Sequence, residues 1–162
     1  MSRSKVKNLR ELVRIRQALK RQRKKVVFTN GCFDILHRGH IECLRKAKSL
    51  GDVLIVGLNS DSSVRKIKGD KRPILPQADR AQILASLEMV DYVVIFSQQT
   101  PLDLIAKLVP DVLAKGGDYR KDQVVGREIV ESSGGRVVLV KEIPGRSTRN
   151  VIGKIIKRYS DG

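Results

Sequence analysis

Short runs of β-branched and aliphatic residues alternate with helical patterns along almost the whole chain, and this alternation limits the fold more than any other feature. The predicted strands are KVVFTN, DVLIVGLNS, DYVVIF, DVLAKG and RVVLVKEI. Segments with apolar residues at helical spacing lie between them, as in ILHRGHIECLRKAKSLG. Because strand–helix–strand crossovers are right-handed, the pattern predicts one doubly wound, five-stranded parallel α/β sheet with helices on both faces.

The composition fits a single domain of this class. The chain has 162 residues, of which 41% are hydrophobic and only 4% aromatic, so Val, Ile and Leu dominate the core as they do in buried parallel sheets. No apolar run approaches the roughly 20 residues that span a bilayer, and the start, MSRSKVKNLR, lacks an apolar signal region. We therefore expect a cytoplasmic protein without a membrane partner. Cys32 and Cys43 fit neither a disulfide framework nor a zinc spacing.

The formal net charge of +16 is concentrated at the N-terminus. Residues 1–25 contain eleven Lys or Arg and one Glu, whereas the rest of the chain contains 22 basic and 16 acidic residues. We predict a basic N-terminal helix over residues 1–23 and one domain over residues 24–162. Nucleic-acid binding through the basic helix is the non-enzymatic alternative. We do not expect that partner, because no aromatic platform is interleaved with the basic residues.

Four polar or glycine-containing segments begin where predicted strands stop. NGCFDILHRGH follows the first strand, NSDSS the second, KGGDY the fourth and PGRSTR the fifth. In open α/β sheets, ligands bind outside the carboxyl ends of the strands. The four segments are therefore expected to converge on one edge of the sheet and to form one site.

The two histidines of the chain, His37 and His40, both lie in the first of these segments. With His40 in the first turn of a helix, both imidazoles lie beside unpaired backbone N–H groups, a setting that attracts phosphate. Gly39, and Gly31 before it, would give a bulky anion room to approach. A zinc site would need a further ligand, and neither a Gly-x-Ser-x-Gly elbow nor a Walker pattern is present.

TNGCFDILHRGH, NSDSSVRKIKGDKRPI, KGGDY and PGRST together resemble the HxGH-type nucleotidyltransferases of the cytidylyltransferase-like family. Within it they are most similar to the D-glycero-β-D-manno-heptose 1-phosphate adenylyltransferases, over about Lys20 to Lys157. The resemblance implies a Rossmann-like fold. It also implies transfer of AMP from ATP to D-glycero-D-manno-heptose 1-phosphate, giving ADP-heptose and pyrophosphate for lipopolysaccharide or other surface-glycan precursors. Such domains often follow a sugar kinase, whereas here we expect a stand-alone version. The resemblance also implies that the chain can form a homodimer.

The chemistry of that reaction calls for hydrogen-bond donors and cations. A phosphate monoester has its second ionisation near pH 6, so the acceptor is already anionic and needs no general base. The resemblance implies catalytic roles for His37, His40, Lys68 and Arg80. It implies nucleotide binding by Thr29, Gly31, Cys32, Phe33, Gly39, Gly117, Asp118, Tyr119, Gly145, Ser147 and Thr148. Of these, Gly117, Asp118 and Tyr119 would line the adenine pocket. Lys66 and Lys115 would face the sugar phosphate, and Asp34 would orient either the loop or the sugar. Mg²⁺ would bridge phosphate oxygens without protein ligands.

One enzymatic alternative stays open at this point. Glycerol-3-phosphate cytidylyltransferases share HxGH, although their late segment is closer to RTEGISTT than to PGRST. Pantetheine-phosphate adenylyltransferases carry Thr in place of the first histidine, so His37 argues against them. The use of ATP or CTP would separate the adenylyl and cytidylyl alternatives.

Overall fold

The computed structural model describes residues 4–160 and contains a five-stranded, all-parallel sheet. Its strands are β1 Val26–Gly31, β2 Val53–Asn59, β3 Tyr92–Phe96, β4 Val112–Gly116 and β5 Arg136–Val140. The helices are α1 Leu9–Arg21, α2 Arg38–Lys48, α3 Asp61–Lys68, α4 Gln77–Ala85, α5 Leu102–Leu108, α6 Arg127–Ser132 and α7 Thr148–Tyr159, with a short 3₁₀ helix Lys121–Gln123. The strands lie in the order β3-β2-β1-β4-β5. The predicted fold class is confirmed.

Alternate residues of each strand enter two apolar layers on opposite faces of the sheet. Val27 packs into one layer with Leu44 of α2 and Leu84 of α4. Phe28 packs into the other layer, which is covered by side chains from α1, α5 and α6. Because strands buried on both faces need apolar side chains at every position, β1 and β2 read as continuous hydrophobic runs in the sequence.

The basic helix α1 is packed against the domain on its apolar side. Leu12 is completely buried, and the Arg16 guanidinium is buried as well. Arg16 Nε donates to the carbonyl of Leu108 at 3.0 Å, Nη2 donates to the carbonyl of Val109 at 2.9 Å, and Nη2 lies 3.3 Å from the Asp111 carboxylate. The predicted division between residues 23 and 24 therefore separates two segments that share one core.

The chain before α1 covers an edge of the sheet. The N–H of Lys7 donates to the carbonyl of Val93 at 2.8 Å, and the N–H of Val93 donates to the carbonyl of Lys5 at 3.0 Å. An unpaired edge strand would otherwise be open to another chain, so this short bridge protects β3. Across residues 4–160, none of the helices has the length and apolar character that crossing a membrane requires.

The strand order places the switch point of the sheet between β1 and β4. The chain proceeds from β1 to β2 and β3 on one side, and from β4 to β5 on the other. At such a point the loops after the two central strands diverge and leave a crevice that binds ligands. Here those loops are the histidine segment after β1 and the glycine pair Gly116 and Gly117 after β4, so two of the predicted site segments flank the crevice.

Candidate active site

The turn from β1 into α2 is strained, and the strain sets where the helix begins. Phe33 and Ile35 have left-handed backbone angles, with φ of +45° and +54°. Such conformations cost roughly 1–3 kcal/mol for residues other than glycine and persist where the surrounding structure enforces them. The sequence pattern suggests helix from Ile35, but the turn delays it, so that His37 becomes the N-cap and α2 starts at Arg38.

The two histidines form a stacked pair at the N-terminus of α2. Their ring centroids lie 3.9 Å apart at an interplanar angle of 29°. His37 Nδ1 accepts from the N–H of Gly39 at 3.1 Å, and His40 Nδ1 accepts from the N–H of His37 at 3.3 Å. Because each Nδ1 is an acceptor, the proton of each neutral ring resides on Nε2. The pair therefore offers two Nε2–H donors.

Both imidazoles are held neutral at physiological pH. Burial, together with the smaller effect of the neighbouring His37, lowers the pKa of His40 to about 4, and Asp34 opposes this shift. Burial also lowers the pKa of His37, while the Glu142 carboxylate opposes that shift. A bound polyanion would raise both pKa values, because it favours the charged ring. Near neutral pH, a bound anion would therefore favour protonation of the histidine pair.

Asp34 anchors the loop and is closed to solvent. Its side chain is 0% exposed and accepts from Arg72 Nε at 2.7 Å and from the N–H groups of Ile74 and Leu75 at 2.8 and 3.0 Å. Burial would raise the pKa of Asp34, but these backbone donors and the guanidinium outweigh it and lower the pKa overall. The alternative in which Asp34 orients the loop fits these contacts; a direct contact with the sugar does not.

The start of α7 is tied to the histidine segment. Thr148 Oγ donates to the backbone carbonyl of Asp34 at 2.8 Å. Ser147 is the N-cap of α7, and its hydroxyl accepts from the N–H of Asn150 at 3.1 Å. The structure therefore brings the early and late motifs together, as their positions after β1 and β5 predict, and sets the N-termini of α2 and α7 side by side.

Arg80 is the residue for which the structure contradicts the predicted role. Its guanidinium is buried: Nε donates to the carbonyl of Leu75 at 2.9 Å, and Nη1 donates to the carbonyls of Cys32 and Asn59 at 2.6 and 2.9 Å. Nη2 pairs with Asp61 at 2.7 Å. A guanidinium engaged in this way does not present its donors to a triphosphate. Arg80 instead fixes the loops that follow β1 and β2.

The reason given for two glycines is also wrong. A side chain at Gly31 would come within 3.0 Å of the Phe33 ring, and one at Gly39 would meet the His37 ring at 2.8 Å and the Arg146 carbonyl at 3.0 Å. The space at these glycines is thus filled by the protein itself and is not left for an anion. At Gly39 the missing side chain allows the His37 ring and the late motif to approach α2.

A cavity of about 730 Å³ opens between the loops after β4 and β5. Five of the predicted nucleotide-binding residues line it: Gly117, Asp118, Tyr119, Gly145 and Ser147. Gly117 has φ of +112°, which favours glycine, and a side chain there would meet the Tyr119 ring at 3.0 Å. The cavity is large enough for a nucleotide, since ligand pockets commonly measure roughly 300–1,000 Å³.

Comparison with known proteins gives the same assignment. The family model described as cytidylyltransferase-like matches residues 28–160. The chain belongs to this family. It is 60% identical over 158 residues to the bifunctional protein HldE of Geobacter sulfurreducens and 57% identical over 157 residues to that of Pelobacter propionicus. These matches cover 98% and 97% of this chain but 32% of each relative, so the chain spans about a third of their length.

Solved structures agree with the fold. A lipopolysaccharide core biosynthesis protein from Thermoplasma volcanium superposes with a TM-score of 0.61 at 29% identity, covering 74% of this chain and 97% of that one. A pantoate-beta-alanine ligase from Francisella tularensis also superposes with a TM-score of 0.61, over 97% of this chain and 79% of the ligase. At 18% identity, the ligase shows that the fold is shared and no more.

In this cytidylyltransferase-like domain, the predicted lysines differ in how close they come to the site. Lys115 Nζ lies 5.1 Å from the centroid of the Tyr119 ring at the cavity. Burial lowers the pKa of Lys115; the two cysteines oppose this shift, and nearby Lys68 adds to it. Lys68 and Lys66 are exposed in the last turn of α3, and Lys68 lowers the pKa values of Cys32 and Lys115.

The residues at the end of β1 play supporting parts. Thr29 is 3% exposed within the strand, where it pairs with Val56, so its side chain is almost inaccessible to a ligand in the crevice. Burial raises the pKa of the Cys32 thiol, although Lys68, Arg80 and Arg72 oppose that rise. Phe33 lies with its ring centroid 5.4 Å from that of His40. These residues shape the floor of the histidine segment.

The donor set does not provide a cage for a divalent cation. Within residues 4–160, no group of three or more His, Cys, Asp or Glu side chains is arranged to hold a metal ion. The carboxylate of Asp34, in the same loop as the histidines, is occupied by an arginine and two backbone N–H groups. The binding of Mg²⁺ to the phosphate oxygens of a nucleotide stays a prediction.

Sequence reasoning missed two residues that the structure puts at the site. Arg72 holds Asp34, and its only sequence signal was its place inside the matched segment NSDSSVRKIKGDKRPI. Glu142 lines the cavity two residues after β5 ends. The rule that ligands bind at the carboxyl ends of strands points to the loop after β5. The prediction for that loop used its hydroxyls and glycines and did not include its carboxylate.

Proposed function

We propose that this chain transfers AMP from ATP to D-glycero-D-manno-heptose 1-phosphate, releasing pyrophosphate and forming an ADP-heptose. The observation that carries the proposal is the stacked pair of His37 and His40, neutral and with Nδ1 of each ring occupied by backbone N–H. Such a pair supplies two fixed donors at the positive end of a helix, which is what a phosphoryl group gaining charge requires.

The acceptor needs no base from the protein. Its phosphate oxygen is anionic at neutral pH and attacks the α-phosphorus of ATP. The new bond joins that oxygen to the α-phosphorus, and the bond between the α-phosphorus and the bridging oxygen breaks, so that pyrophosphate leaves with the bond's electrons. Because His40 is the more buried of the two rings, its Nε2–H is the stronger candidate for the α-phosphate.

The leaving pyrophosphate would be bound by the late motif and by the nearby lysines of α3. The N-terminus of α7, beginning at Ser147 and Thr148, gives unpaired N–H groups and a positive dipole end. Lys68, with Lys66 as the less certain candidate, adds positive charge from the last turn of α3. Holding two polyanions in line is the largest task here, since proximity and charge neutralisation account for most of such catalysis.

The sugar is assigned from similarity. Four motifs along the chain match those of heptose 1-phosphate adenylyltransferases, relatives near 60% identity are named HldE, and a structural neighbour at 29% identity is titled a lipopolysaccharide core biosynthesis protein. KGGDY and PGRST contribute residues to one cavity, TNGCFDILHRGH holds the histidine pair, and the contact of Thr148 with Asp34 joins the early and late motifs, which supports their joint action. We propose a cytoplasmic role in surface-glycan precursor synthesis on the same basis.

The test is pyrophosphate release from ATP or CTP across a panel of sugar 1-phosphates, with glycerol 3-phosphate included. We expect turnover with ATP and the heptose 1-phosphate to exceed every other pairing. A strict requirement for CTP, or preference for glycerol 3-phosphate, would contradict the assignment while leaving the family intact. Turnover with several hexose 1-phosphates at equal rates would keep the reaction but remove the heptose.

A further inference from the structure

Glu142 is the charged group of the cavity for which the proposed reaction has no use. Its carboxylate lines the cavity and, within residues 4–160, forms no hydrogen bond or ion pair with the rest of the protein. Glu142 is exposed to solvent, and the other charged residues that line the cavity are Lys141, Arg146 and Asp118. A free carboxylate that stays unpaired in such a place is available to a ligand.

Glu142 lies between the parts of the site that are assigned to the nucleobase and to the phosphates. An oxygen of its carboxylate would come within 3.5 Å of a side chain at Gly117, in the loop assigned to the nucleobase. On the other side, its charge acts on His37, which is assigned to the phosphates. The piece of a nucleotide that joins its base to its phosphates is the ribose.

The chemistry of a carboxylate selects the same piece. An ionised carboxylate only accepts hydrogen bonds, and it repels phosphate. The donors of ATP are the ribose 2′ and 3′ hydroxyls and the amino group of adenine. Two adjacent hydroxyls match the two oxygens of one carboxylate, and hydrogen bonds to a charged group stabilise a complex more than neutral ones.

We propose that Glu142 is a specificity-determining residue that accepts hydrogen bonds from the ribose 2′ and 3′ hydroxyls of the nucleotide. This assignment rests on the proposed use of ATP and adds what the family motifs leave out: selection of a ribonucleotide by the loop after β5. The residue touches neither the reacting phosphorus nor the acceptor, so its loss affects nucleotide choice and apparent affinity before it affects the chemical step.

The experiment compares ATP, 2′-deoxyATP and 3′-deoxyATP as substrates for the unmodified protein, Glu142→Ala and Glu142→Gln. Glu128→Ala is the matched control, since Glu128 is an exposed glutamate of α6 outside the cavity. We expect the unmodified protein to favour ATP over each deoxynucleotide about 10- to 100-fold in kcat/KM, as for charged hydrogen bonds. Glu142→Ala should lose that preference by slowing with ATP alone, Glu142→Gln should retain part of it, and Glu128→Ala should keep it.

Three results would overturn the assignment. The first is an unmodified protein that does not distinguish ATP from the deoxynucleotides, and the second is a preference that survives in Glu142→Ala. The third concerns ITP, measured as a further substrate because it lacks the adenine amino group. If Glu142→Ala loses the preference for ATP over ITP while its preference for ribose is unchanged, Glu142 contacts the base. Asp118→Ala is measured alongside, because Asp118 is the other carboxylate of the cavity; if the second result is found and Asp118→Ala loses the ribose preference, the ribose contact belongs to Asp118.

Calorimetric binding of the same nucleotides separates this inference from the proposed function. Selective ATP binding that depends on Glu142, without transfer to any sugar 1-phosphate, would support the ribose contact and reject the reaction. Transfer to the heptose phosphate with no role for Glu142 would do the reverse. A protein that binds no ATP would reject both. Circular dichroism of each variant excludes misfolding as the cause.

Discussion

The loops after β1 and after β5 meet at the same site but are built in opposite ways. The first, residues 32–37, is strained, largely buried, and held by Asp34, Arg80 and the capping of α2. The second, residues 141–147, is mostly exposed and joins the first through Thr148 and the close approach of Arg146 to Gly39. The difference suggests that the reacting phosphate is met by a preset surface, whereas the nucleotide is recognised on an open one.

Removing Arg80 should have the largest effect, because it dismantles the rigid side of the comparison. Arg80→Ala leaves three backbone carbonyls and the Asp61 carboxylate without their donor. We expect the free energy of unfolding to fall by about 3 kcal/mol, the lower end for a broken buried pair because Asp61 is 28% exposed. Urea denaturation measures this change.

The matched control is Arg14→Ala, at an exposed position of α1. It should change stability by less than about 0.5 kcal/mol. Arg80→Lys should not restore stability, since one ammonium cannot reach acceptors on three sides. A stable Arg80→Ala protein that has lost only catalysis would instead return Arg80 to the direct phosphate-binding role that its burial argues against.

Replacing His40 should separate catalysis from folding within the same rigid loop. His40→Ala removes a fixed donor, and we expect kcat to fall about 10²- to 10³-fold, as when one oxyanion donor is lost. Stability should fall by no more than about 2 kcal/mol, the range for a lost helix cap. Steady-state kinetics and thermal unfolding are measured on the same preparation.

His40→Gln sharpens this result, because glutamine at the third helical position can still accept the N-cap N–H. We expect its stability to lie close to that of the unmodified protein while its activity stays low. Near-normal turnover in either variant would reject the catalytic role of His40. A loss of activity that follows the loss of stability would assign His40 to the cap alone.

Loosening the tie between the two loops should give the smallest effect. Thr148→Val keeps the shape of the side chain but removes the hydrogen bond to the Asp34 carbonyl. We expect a loss of about 1 kcal/mol of stability and a few-fold rise in KM for ATP, with kcat nearly unchanged. A fall in kcat as large as that of His40→Ala would show that the loop after β5 also sets the reacting geometry.

The fold and the convergence of the strand-end segments could be predicted from the sequence because their signals are local. Apolar runs of strand length, helical spacing, and polar segments at strand ends each occupy a few residues, and the parallel α/β architecture follows from their order. The clustering of His37, His40 and Thr148 followed from the rule for strand ends. The placing of His40 in the first turn of α2 is confirmed, but the helical spacing of ILHRGHIECLRKAKSLG starts at Ile35, three residues too early, because a strained turn at Phe33 and Ile35 carries no pattern of its own.

The roles of individual polar groups could not be predicted in the same way. The sequence pattern does not show whether an arginine in a predicted helix will bind a phosphate or backbone carbonyls. Only the folded chain shows that Arg80 donates to the carbonyl of Cys32, 48 residues away. Gly39 likewise makes room for the protein's own ring, and Glu142 lies at the cavity although it belongs to none of the motifs.

The sequence by itself determined that this chain forms a parallel sheet with histidines, glycines and hydroxyls at the ends of its strands, since periodicity and strand-end chemistry are properties of short segments. Only the tertiary structure decided which of those groups remain open to a ligand. That depends on partners distant in the chain, as for Thr148 and Asp34, 114 residues apart. A hydrogen-bond donor serves a substrate only when the fold has not already given it an acceptor.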